Sequence, residues 1–130
     1  MKKFFIIAVL SLSLAGCATF QKLGQDISNV VGIVTSAKVT PQQILVGANA
    51  YDAVEATATQ YLLYCHANPA IPQCALKTRK LVVADVRAGR AARNALEPYV
   101  ISGGAGPSDI YNTLVATITA IKNDTPSVSQ

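Results

Sequence analysis

The sequence has few of the residues on which most enzyme sites depend. Its 130 residues include one histidine, His66, and no tryptophan. A hydrolase needs a nucleophile with a base, or paired carboxylates, and the metal-binding pattern E-x-x-H does not occur. We therefore expect a protein that is not an enzyme and that binds no cofactor or metal.

Large aromatic side chains are also scarce. Two of the three phenylalanines, Phe4 and Phe5, lie at the start of the chain, whereas alanine is abundant. Alanine favours helix and lets helices approach closely, but it buries little apolar area. The composition predicts an all-α fold, a small helical bundle with a thin core.

The most apolar stretch is too short for a comfortable transmembrane helix. It runs from Phe4 to Gly16 without a charge, and a spanning helix needs about 20 apolar residues. It follows Lys2 and Lys3, a layout that is typical of a secretory signal peptide. An ordinary signal would end in small residues of the A-x-A kind.

Here the stretch ends in Leu14, Ala15, Gly16 and Cys17, which resemble the lipobox of bacterial lipoproteins. The resemblance covers residues 1–17 and implies that residues 1–16 are removed and that Cys17 carries a diacylglycerol anchor. In the lipoproteins of enteric bacteria that this segment resembles, an aspartate directly after the cysteine often signals retention at the inner membrane. Ala18 at that position therefore implies the periplasmic face of the outer membrane. An uncut signal anchor and a buried N-terminal helix with an apolar Cys17 are the alternatives. The rest of the chain resembles no family of known function.

Removal of residues 1–16 leaves nine basic and seven acidic side chains, a net charge of +2, and we expect no nucleic-acid partner. It also leaves two further cysteines, Cys65 and Cys74. In an oxidising compartment an even pair is first interpreted as a disulfide. A metal site with His66 is the alternative, but it has no convincing fourth ligand, and a c-type haem motif fails because residue 62 is leucine.

Local signals divide the remaining chain into helices. Thr40-Pro41 is a helix start, and two prolines in residues 66–72 end that helix. The predicted elements are a tether or short helix in residues 17–39, a helical domain in residues 40–122 and a disordered tail in residues 123–130. Within the domain, helices at about 41–65 and 74–100 form an antiparallel hairpin stapled by the disulfide, and a last helix spans 109–122.

Helical spacing predicts which residues face the core. The first long helix has one continuous apolar face: Ile44, Gly47, Tyr51, Val54, Ala58, Tyr61 and Cys65. The second has a face of leucine, alanine and tyrosine: Leu81, Ala84, Ala88, Ala92, Ala95, Leu96 and Tyr99. The last has an isoleucine and leucine stripe: Ile110, Leu114, Ile118 and Ile121.

The back of the second long helix is basic. Between Lys77 and Arg93 there are six basic residues against one acid, Asp85. The candidates for binding an anion or an envelope partner are Arg79, Lys80, Arg87, Arg90 and Arg93. A solvated face that keeps an alanine-rich helix soluble is the alternative. Val83 and Val86 lie among these cations and are expected to be exposed unless something covers them.

Other features carry weaker functional signals. Glu55 and Asp85 could be partly buried, as structural polar contacts or as an acid and base pair. The glycine-rich segment 101–108 lacks the Gly-Lys-Ser ending of a phosphate-binding loop and follows a helix, so it is interpreted as a turn.

The sequence thus predicts a small lipid-anchored envelope protein with an interaction or structural role. The alternatives are a periplasmic small-ligand binder with Tyr51, Tyr61 and Tyr99 as pocket walls, and an exclusion or lysis lipoprotein of the phage or plasmid type.

Overall fold

The computed structural model describes residues 32–127. The signal peptide, the lipobox with Cys17 and most of the predicted tether helix lie outside the described residues. The described end of that tether, residues 32–39, is not helical, since Lys38–Val39 forms strand β1 and the residues before it have irregular backbone. Val39 is buried, so the folded domain begins earlier than residue 40.

Helix α1 spans Pro41–Ala67 and begins at the predicted residue. The Thr40 hydroxyl accepts from the Gln43 backbone N–H (3.2 Å), while the Gln43 side chain accepts from the Thr40 N–H (2.9 Å). This reciprocal capping box satisfies donors that a helix start leaves free. All seven residues predicted to face the core are buried, together with Ala50.

The link between the long helices ends in a 3-10 turn at Pro72–Cys74. Cys65 and Cys74 are buried there, their sulfurs at disulfide-bonding distance and their Cα atoms 5.1 Å apart. The predicted pairing of the hairpin tip is therefore present in the structure. Tyr61 supports the same link, because its hydroxyl donates to the Gln73 carbonyl at 2.6 Å.

Helix α2 spans Leu76–Ser102. Its core face was predicted wrongly over most of its length, because Leu81, Ala84, Ala88 and Ala95 are exposed, and only Ala92 and Leu96 of the predicted set are buried. The buried residues are instead Val82, Val86, Gly89, Ala92 and Leu96. Val86 is thus in the core rather than on an exposed basic back, and Val83 is half-buried.

Strand β2, Gly106–Pro107, pairs antiparallel with β1 and leads directly into helix α3, Ser108–Asp124. Pro107 occupies the N-cap position. The predicted stripe of α3 faces the core, with Ile110 at its edge, and Tyr111, Val115 and Thr117 are buried beside it.

The three helices enclose one core, and each packs against both others. Glycines at two crossings let the helices approach closely: a Cβ on Gly47 would meet the Tyr111 ring at 2.9 Å, and one on Gly89 would meet Tyr51 and Thr117. Among the described residues, every one that belongs to the core lies between Val34 and Ile121. A chain that begins at Ala18 therefore retains the whole described fold.

Candidate functional site

The five cations predicted to form a binding surface are not equivalent in the structure. Arg90 and Arg93 lie where α2 crosses α1, and both form ion pairs. Arg79 is half-buried, whereas Lys80 and Arg87 are exposed. The predicted set therefore divides into a part that joins the two helices and a part that faces solvent.

Two ion pairs connect α1 to α2. Arg90 donates to the Glu55 carboxylate, and Arg93 lies 3.4 Å from Asp52 and 3.4 Å from Glu97 of its own helix. The hydrogen bond to Glu55, followed by its charge, raises the pKa of Arg90 above its ordinary value. Exposed ion pairs of this kind are screened by water and add little stability, so they fix the register of the hairpin more than they stabilise it.

Tyr51 anchors the same crossing from inside. Its ring is fully buried and its hydroxyl donates to the Val86 carbonyl at 2.6 Å. Burial, and next the charge of Glu55, raise the pKa of Tyr51 to about 12. The tyrosine is therefore neutral at physiological pH and acts as a structural hydrogen-bond donor.

The three tyrosines considered as pocket walls pack against neighbouring residues of the bundle. Tyr51 packs directly on Gly89, and the hydroxyls of Tyr51 and Tyr61 both donate to backbone carbonyls. Tyr99 is half-buried and lies close to Gly106. The space between the helices is used for packing by these rings themselves.

The two carboxylates considered as an acid and base pair are not brought together. Glu55 is paired with Arg90, whereas Asp85 lies near Asp124 at the end of α3. Among the described residues, Asp85 Oδ2 is one of three buried side-chain polar atoms without a hydrogen-bond partner. Burial, and then the charge of Asp124, raise the pKa of Asp85. Ionisation of Asp85 therefore destabilises the fold.

Replacing this carboxylate should stabilise the domain. The folded-state pKa of Asp85 is raised above its ordinary 3.8. The stability that the bound proton contributes is therefore fully present below pH ~3.8 and is lost as the pH rises through the folded-state pKa. We expect Asp85→Asn to raise the unfolding free energy by about 1 kcal/mol at pH 7, with no gain below pH ~3.8. Thermal unfolding from pH 3 to 8 measures this. Asp109→Asn, at an exposed position, is the control and should give no gain; a loss of stability in Asp85→Asn at pH 7 would contradict the assignment.

The disulfide end does not present a metal site. Cys65 and Cys74 are paired and His66 is exposed. Within residues 32–127, no group of three or more histidine, cysteine, aspartate or glutamate side chains is arranged to hold a metal ion.

The glycine-rich segment serves to end a helix. Gly103 has φ +68°, in the left-handed region that favours glycine, and the Gly104 N–H donates to the Tyr99 carbonyl at 3.0 Å. Gly106 lies against Ile44 and Leu96, where a Cβ would be too close.

What remains as a candidate site is the exposed side of α2. Lys77, Lys80 and Arg87 are exposed there and take part in none of the ion pairs found in the described part of the chain. Large exposed apolar side chains lie at both ends of the same helix, at Leu76 and Ile101. Sequence reasoning found the cations but not these neighbours.

Comparisons with protein families, with curated protein sequences and with solved structures gave no match.

Proposed function

We propose that the protein is a lipid-anchored component of the bacterial envelope that has no catalytic role and acts through contacts made by α2. The anchor is Cys17, behind a signal peptide of residues 1–16. The outer membrane, periplasmic side, is the proposed location, on the basis of Ala18.

The observation that carries the contact role is the exposure of Lys80 and Arg87. Arg90 and Arg93 belong to the ion pairs that join the helices. Lys80 and Arg87 lie on the solvent side of the same helix. A guanidinium on such a support can make two parallel hydrogen bonds to a phosphate or carboxylate. The proposed surface is therefore smaller than the five-residue set that the sequence predicts.

The proposed attachment to the membrane is the covalent lipid. In residues 32–127 no helix is both long enough and apolar enough to cross a membrane. A covalently attached lipid would hold the domain at the surface, since each buried methylene adds about 0.8 kcal/mol and several acyl chains hold far more firmly than one.

Photocrosslinking in intact cells tests the contact role. A photoreactive amino acid at the exposed Ala91, about one turn from Arg87, should capture lipid or protein neighbours. We expect Lys80→Glu with Arg87→Glu to remove most adducts, because the anion-binding charges are reversed. Lys38→Glu with Lys122→Glu makes the same change in net charge elsewhere and should leave the adducts unchanged. Equal adducts in both double variants would contradict the proposal.

A further inference from the structure

Two large apolar side chains of α1 are exposed on one line along the helix. Leu45 is 48% exposed and Leu63 is 65% exposed. Their positions in the chain are separated by about five whole helical turns, so they share one side of α1. Asp52, which pairs with Arg93, lies between them on nearly the same side.

Helix α2 repeats this arrangement. Leu76 is 58% exposed and Ile101 is 79% exposed, and about seven helical turns separate them. Lys80 and Arg87 lie between them, and all four side chains fall within an arc of about 60° at ~100° per residue. Each long helix therefore has an apolar side chain at both ends of its exposed side.

The ion pairs place these two sides next to each other. Arg90 pairs with Glu55 across the antiparallel hairpin. Leu45 lies ten residues before Glu55 and Ile101 lies eleven residues after Arg90, so the two side chains are at the same end of the hairpin. Helix α3 covers the opposite side of the hairpin, where Tyr111 packs at Gly47 and Thr117 at Gly89. We call the exposed side the outer face and define it by Leu45, Leu63, Leu76, Lys80, Arg87 and Ile101.

The charge of the outer face is positive towards the disulfide end. No acidic residue occurs between Ala56 and Ala84, a segment that holds Lys77, Arg79 and Lys80. The acids at the middle of the hairpin, Asp52 and Glu55, are already paired with arginines. The exposed cations therefore complement a negatively charged surface.

We infer that the outer face lies flat on an anionic lipid surface. Binding of a helix in the plane of a membrane interface strengthens with the apolar area that it buries and with the attraction of its lysines and arginines to anionic lipids. Here the aliphatic side chains lie at the ends of a face about 40 Å long, estimated from 27 residues at ~1.5 Å each, and the cations lie between them. The aliphatic side chains would enter the headgroup region, and Lys80 and Arg87 would contact phosphates.

The chain between the anchor and the domain is long enough for this placement. The inference rests on the proposed lipid at Cys17, and residues 17–32 connect that cysteine to the described domain. Fully extended, this segment spans about 50 Å, at up to ~3.6 Å per residue. Either end of the hairpin can therefore reach the membrane that holds the anchor.

Tryptophan fluorescence tests the inference, because the chain contains no tryptophan. The protein is residues 18–130 without lipid, so the outcome does not depend on the fate of Cys17. Reporters are Leu76→Trp and Ile101→Trp on the outer face, with Ala116→Trp at an exposed position of α3 as the control. The probes are vesicles of phosphatidylethanolamine with phosphatidylglycerol, and vesicles of neutral phosphatidylcholine.

We expect both outer-face reporters to shift to the blue on the anionic vesicles, where brominated lipids should quench them, and the control to do neither. Lys80→Glu with Arg87→Glu should weaken vesicle binding at least about tenfold, because each cation near an anionic membrane raises the binding constant roughly fivefold. The double variant of Lys38 and Lys122 should bind as before.

Two results would overturn the inference. One is the absence of any shift on anionic vesicles, which would leave an acidic protein as the partner. The other is a blue-shifted emission in the absence of vesicles that shifts to the red when residues 18–31 are removed. This result would show that residues 18–31 cover the outer face. Neither result bears on the lipid at Cys17.

Discussion

Gly89→Ala is expected to lower the unfolding free energy by about 2–3 kcal/mol, although alanine is normally the better helix residue by about 1 kcal/mol. A Cβ at this position would lie 2.8 Å from Tyr51 Cδ2 and 2.9 Å from Thr117 Cγ2. Real Cβ atoms essentially never approach this closely. Tyr51 cannot move aside easily, because its ring is fully buried and its hydroxyl is held by the Val86 carbonyl.

Urea unfolding of the oxidised protein measures this effect. Gly32→Ala is the matched control, since a Cβ there has no heavy atom within 4 Å, and it should change stability little. A smaller residue in place of Tyr51 should make Gly89→Ala less harmful, so Tyr51→Leu and Gly89→Ala should be strongly non-additive. A Gly89→Ala protein as stable as the parent would show that the crossing of α1, α2 and α3 is not as described.

Removing the disulfide has the second large expected effect. Cys65 and Cys74 are nine residues apart, and in the chain-entropy model a loop of that size contributes about 2–3 kcal/mol. We expect Cys65→Ala with Cys74→Ala to lower the melting temperature by about 10–20 °C for a domain of this size. The thin alanine-rich core makes such a loss a large part of the total stability.

Thermal unfolding with and without reductant provides the comparison. Reductant should destabilise the parent and leave the double alanine variant unchanged. Because the two sulfurs are joined in the disulfide, the parent should show no reactive thiol at these positions, even when unfolded, until it is reduced. Two reactive thiols in the untreated exported protein would contradict the disulfide.

The face of α1 was predictable because its one continuous periodic set of large side chains lies on one side, whereas Leu45 and Leu63 stand far apart on the other. Ile44, Tyr51 and Tyr61 recur at helical spacing, and residues such as Gln43 and Gln60 leave no competing apolar face. The start at Thr40-Pro41 was equally predictable, since the capping box forms within four residues.

The face of α2 was not predictable by the same rule. Alanines lie all round this helix, so Leu81 and Val82 mark two different faces with similar periodicity. The contact with α1 determines which face of α2 is buried. The Tyr51 ring packs at Gly89, where there is no side chain, beside Val86. A pattern within one helix cannot report such a requirement.

One part of the candidate site could have been found in the sequence. Asp52 and Glu55 are three residues apart, as are Arg90 and Arg93, and an antiparallel hairpin brings the two pairs together in reverse order. That spacing shows in advance that two of the five cations would be paired. The non-helical residues 32–39 had no comparable signal, because their partners, Gly106–Pro107 and Asn112, lie far along the chain, beyond both long helices.

The intact mass of the protein extracted from bacterial membranes is the most direct test of the proposed lipid at Cys17. The lipobox resemblance predicts a chain of residues 17–130 whose mass exceeds that of the polypeptide by a diacylglyceryl group and any acyl chain on the new N-terminus. Cys17→Ala should leave residues 1–16 attached and the chain without lipid, because the lipid is added before the cut. A parent protein with the mass of an unmodified chain, whether it begins at Met1 or at a residue after Cys17, would contradict the claim.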